Sequence, residues 1–71
     1  MKKFLFIIEK TRTGFSAYVP DLPGCIATGS TKSQVEKNIF EAVQFHLEGM
    51  KEEGIKIPES RTEAEMVMIR V

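Results

Sequence analysis

The sequence predicts an α+β domain in the order β-β-β-α-β. A mixed four-stranded sheet, spatial order 3-2-1-4, carries one long helix on one face. Three observations lead there. Residues 4–8 are an unbroken apolar run too short for a free-standing helix, and residues 35–50 repeat their apolar positions at three- and four-residue steps. Between them, Pro20, Pro23 and Gly24 interrupt any regular element, while Tyr18-Val19 and Cys25-Ile26-Ala27 flank the break. That interruption reads as a rigid corner joining two short strands.

The first strand spans Lys3 to Lys10, with Phe4, Phe6 and Ile8 on one face and Leu5 and Ile7 on the other. Apolar residues on both faces suggest a central strand. Thr11 to Gly14 is a turn, Phe15 to Val19 the second strand, and Cys25 to Thr28 a short third strand. Thr31 followed three residues later by Gln34 has the spacing of a capping box. The helix from Thr31 to Glu53 then carries the stripe Val35, Ile39, Ala42, Val43, His46, Leu47 and Met50, with Phe40 and Phe45 off its centre. Gly54 is expected to end it, with Pro58 as a barrier to continuation.

After a connection from Ile55 to Glu63, Glu65 to Val71 is expected as a fourth strand. There Val67, Ile69 and Val71 alternate with Met66, Met68 and Arg70. A right-handed helical crossover lays this strand parallel to the first, which gives the order 3-2-1-4.

The 71 residues suffice for one domain, 1–71, with a small core, so an oligomer is expected. Ten basic residues balance ten acidic ones and no basic cluster stands out, which argues against unaided nucleic-acid binding. No apolar run approaches a membrane span, and the run after Lys3 ends at Glu9, short of a signal peptide. The single cysteine, Cys25, fits a reducing compartment, and the reading is cytoplasmic.

The candidates for chemistry are few. A two-metal nuclease needs converging carboxylates, and Glu9 has no evident acidic neighbour on the central strands. His46 lies on the helix stripe, which suits packing or hydrogen bonding better than general-base work. Cys25 reads as a small buried hydrophobe. No catalytic residue, metal or cofactor is expected. One helix covers only one sheet face, so the other carries apolar side chains suited to a partner. The candidate partner or oligomer surface comprises Leu5, Ile7, Tyr18, Asp21, Leu22, Met66 and Met68.

Taken together, Pro20-Asp21-Leu22-Pro23-Gly24-Cys25 after a strand, Gly29-x-Thr31, the helix segment Ala42-Val43-x-Phe45-His46-Leu47-Glu48 and the Gly54…Ile57-Pro58 exit resemble the HicB-like antitoxin family. The resemblance covers nearly all of residues 1–60. It implies a partial ribonuclease-H-like fold and a non-enzymatic antitoxin that neutralises a small HicA-type mRNA-cleaving toxin by direct binding, usually as a homo-oligomer, dimer or tetramer. Many relatives add a helix-turn-helix or ribbon-helix-helix DNA-binding domain; this chain stops at Val71, so direct DNA binding is not expected of it. The alternatives are an orphan homo-oligomeric module without a toxin and a divergent metal-dependent nuclease.

Overall fold

The computed structural model describes all 71 residues. Its regular elements are β1 (Ile7–Lys10), β2 (Phe15–Tyr18), β3 (Ile26–Gly29) and α1 (Lys32–Glu52). The strands form one antiparallel meander in the order β1-β2-β3. Ile7 lies opposite Tyr18 and Lys10 opposite Phe15; Phe15 in turn faces Gly29 and Tyr18 faces Ile26.

The corner between β2 and β3 is two consecutive tight turns. Leu22 N–H donates to the Val19 carbonyl at 3.1 Å and Cys25 N–H to the Leu22 carbonyl at 3.1 Å. Val19 N–H closes the pair on the Cys25 carbonyl at 3.2 Å. Pro23 and Gly24 fill the central positions of the second turn, and Gly24 has φ +85°, the arrangement a type II turn demands. Folding the corner inward puts Leu22 into the core.

The helix begins as the Thr31/Gln34 spacing predicts. Thr31 Oγ1 accepts from Gln34 N–H at 3.0 Å. The return bond is displaced by one residue, because Gln34 Oε1 accepts from Ser30 N–H at 2.8 Å and Ser30 Oγ at 2.6 Å. At the other end Gly54 takes φ +70°, Gly54 N–H donates to the Lys51 carbonyl and Ile55 N–H to the Met50 carbonyl. These two bonds are a Schellman motif, and they satisfy carbonyls the helix leaves free.

The helix buries Val35, Ile39 and Val43 against Ala17, Val19, Leu22 and Cys25, with Phe4, Phe6, Ile8, Phe15, Ala27, Ala42, Leu47 and Met50 partly buried around them. Each fully buried Val, Leu or Ile contributes roughly 1.5–3 kcal/mol relative to leaving it in water. Phe40 and Phe45, off the stripe, stay exposed.

The four-stranded sheet and the order 3-2-1-4 are corrected by the structure. Residues 65–71 make no strand, and no backbone–backbone hydrogen bond involves any residue beyond Ile55. The first strand is consequently an edge strand, and it is shorter than expected, since residues 3–6 are unpaired. The physical reason is that alternation gives a segment two faces but not a ladder. Strand pairing needs a second backbone within about 4.8 Å. Met66 and Met68 are fully exposed, with relative areas of 100% and 102%. The radius of gyration, 14.0 Å, exceeds the about 11 Å expected of a compact chain this long. The long axis reaches 48 Å.

Candidate functional site

Two surfaces stand out, both positioned by the corner and the meander. The first is the sheet face away from the helix. Phe4, Phe6 and Ile8 pack toward the core, so Leu5 and Ile7 point to the bare side. There the register aligns Ile7, Tyr18 and Ile26 in one cross-strand row, followed by the polar row Glu9, Ser16 and Thr28. Tyr18 is 39% exposed and Ile26 68%. The bare face is therefore apolar at the corner end and polar at the other.

Ile26 was missing from the residues singled out in the sequence. Its alternation with the buried Cys25 and half-buried Ala27 is the signal that puts it on the bare face, and the β2–β3 register sets it beside Tyr18. Leu22 moves the other way: at 1% exposure it belongs to the core and not to a surface. Leu5 and Ile7 are half-buried, while Met66 and Met68 stand apart, free of the body of the molecule.

The second surface is the joint between corner and exit segment. Asp21 Oδ2 accepts from Arg61 N–H at 3.0 Å, Thr62 N–H at 3.3 Å and Ser60 Oγ at 3.3 Å, and Oδ1 accepts from Thr62 Oγ1 at 2.9 Å. Four donors on one carboxylate favour its charged form. The Arg61 backbone bond leads in holding the Asp21 pKa below its ordinary 3.8, with desolvation opposing and the Thr62 and Ser60 bonds assisting. Asp21 is thus a clamp on a segment forty residues further along the chain. Lys2 pairs with Glu59 beside it and lowers the Glu59 pKa. Pro20, Asp21, Pro23, Lys56, Pro58, Glu59 and Arg61 line an open cleft of about 550 Å³ along this joint.

Cys25 is buried, and desolvation raises its thiol pKa, so the thiolate is disfavoured. His46 sits half-buried on the helix stripe. Nowhere do three His, Cys, Asp or Glu side chains gather as metal ligands. No helix is long and apolar enough to cross a membrane.

A short antiparallel meander under one long helix, with a partly apolar bare face, defines a small α+β domain of the HicB type. The chain belongs to the HicB-like antitoxin family of bacterial toxin–antitoxin systems, whose sequence profile matches residues 4–70. It is 45% identical over 53 residues to an uncharacterised 14.9 kDa protein from the rep-hol intergenic region of Haemophilus phage HP1. That match covers 75% of this chain and 40% of the phage protein. A UPF0150 protein of Thermoplasma acidophilum is 39% identical over 62 residues, 86% of this chain and 90% of that protein. Among solved structures, a chain of a HicA3 and HicB3 toxin–antitoxin complex superposes with a TM-score of 0.67 at 37% identity, covering 84% of this chain and 69% of that one.

Proposed function

We propose that this chain is the antitoxin of a type II toxin–antitoxin pair and that it neutralises a HicA-type, mRNA-cleaving toxin by direct protein binding. The observation that carries the reading is the likeness, at 37% identity, to a chain solved within a complex of HicA3 and HicB3. Its mechanism is steric: the chain covers the toxin's active site and RNA-binding face, and it works by binding rather than by catalysis. The contact surface is the bare sheet face, where Leu5, Ile7, Tyr18 and Ile26 offer an apolar patch bordered on one side by Glu9, Ser16 and Thr28. An apolar patch bordered by polar side chains suits a protein interface. The zero net charge of the chain leaves electrostatic steering to local groups. The protein acts in the cytoplasm, where the toxin meets mRNA, and as a homo-oligomer.

A pull-down of tagged protein from its own cells tests this. The expected result is a small basic protein retained in stoichiometric amount, toxic when expressed alone, and lost with Tyr18→Glu. Recovery of the chain with nothing but further copies of itself would favour an orphan oligomeric module.

A further inference from the structure

We propose that residues 65–71 are an exchange arm: each copy lays this segment, as a parallel strand, along the free β1 edge of a second copy. The proposal specifies the homo-oligomer named above but does not depend on a toxin. Its first ground is that both halves of a strand pair are present and unpaired. β1 is an edge of the sheet, and the arm makes no backbone hydrogen bond. Met66, Val67, Met68, Ile69 and Val71 are all exposed large hydrophobics. An open edge and an exposed apolar strand in one molecule are a template and its complement.

The second ground is register. Parallel pairing with Met66 beside Leu5 and Met68 beside Ile7 sets Arg70 beside Glu9. Opposite charges then meet on the bare face, and apolar side chains meet apolar ones. Val67 and Ile69 fall beside Phe6 and Ile8, on the face where those residues pack toward the core. Antiparallel pairing centred on Ile7 and Met68 instead puts Arg70 beside Leu5 and Met66 beside Glu9. The bare-face row becomes Met68, Ile7, Tyr18, Ile26, so the exchange also widens the apolar patch.

The helix supplies a third ground. Asn38 Nδ2 donates to the Thr28 carbonyl of β3 at 2.8 Å, which fixes the flank of α1 that faces β3. Phe40, two residues on, lies roughly 200° further round the helix and so on the flank above β1. It is 56% exposed there, over the slot that an added strand would occupy.

The arm's own β1 edge is the poorer partner because of the Asp21 clamp. The clamp holds Thr62 at the β2–β3 corner. From there to the slot outside β1 is about two and a half strand spacings, roughly 12 Å. The four steps from Thr62 to Met66, the first residue of that register, reach at most about 13–14 Å, which leaves little slack for the turn into strand direction. A second copy's edge carries no such restraint.

Light scattering on the full chain, alone and over a concentration series, is expected to give a dimer. A chain ending at Ala64 is expected to be a monomer whose helical circular dichroism is retained. Ile7→Cys and Met68→Cys, placed in separate chains and mixed under oxidation, are expected to form the mixed disulfide dimer. Glu9→Arg is expected to raise the dimer dissociation constant about tenfold over its two symmetry-related pairs, and Arg70→Glu in the same chain to restore it. Three results would each overturn the proposal: a monomeric full chain, a dimer that survives removal of residues 65–71, or a disulfide between positions 7 and 68 that forms only within one doubly substituted chain.

Discussion

Val35, Ile39 and Val43 on the helix and Val67, Ile69 and Val71 in the arm are the same set of side chains, yet the first three are buried and the last three lie open. The difference is the geometry around them. The helix satisfies its own backbone and needs the sheet only to cover a stripe, so it can be placed as a finished unit. The arm has no internal hydrogen bonds and becomes structure only when another strand meets it. Apolar pattern marks what can be buried; the partner backbone decides whether it is.

That contrast can be broken most severely at the core. Ile39→Ala removes a side chain with 0% exposure and is expected to cost about 2–5 kcal/mol in chemical denaturation. The matching truncation, Ile69→Ala, is expected to leave the stability of the dilute chain unchanged. Its effect should emerge only at concentrations where a second copy is bound.

Gly24→Ala comes next, at about 1–2 kcal/mol, since φ +85° disfavours any side chain while no atom lies within 4 Å of the added methyl. A penalty well above this would mean that the corner is packed and not merely bent. Thr31→Ala is expected to cost about 1 kcal/mol through loss of the Gln34 N–H bond, measured the same way.

The smallest effect is also the most local. The folded-state pKa of Asp21 lies below its ordinary 3.8, so its contribution is fully present above that pH and is lost as pH falls through the lowered value. Hydrogen exchange of the Arg61 and Thr62 amides should lose its protection over that acid range. Asp21→Asn should abolish this pH dependence while leaving protection of the helix unchanged.

Much of the body was legible in the chain because its signals are local. Thr31 and Gln34 are three residues apart, Pro23-Gly24 dictates its own turn, and the stripe ending near Gly54 needs only helical period. The rest depended on encounters between distant residues. Nothing near Asp21 announces that Ser60–Thr62 will find it, and the inward fold of two consecutive turns is what buries Leu22. The fourth strand was misplaced for the same reason: alternation in 65–71 is real, but its neighbour is not set by alternation. At the candidate site, Leu5, Ile7 and Tyr18 were readable from period two. Ile26 joined them only once the β2–β3 register aligned it with Tyr18.

The most direct test of the antitoxin reading is growth of cells expressing the small basic protein that the pull-down is expected to retain, with and without the chain. Rescue by the wild-type chain, lost on Tyr18→Glu or Ile26→Glu in variants that keep their helical dichroism, is the predicted result. No rescue by the wild-type chain would contradict the antitoxin reading. Rescue undiminished by both substitutions would contradict the bare sheet face as the surface that delivers it.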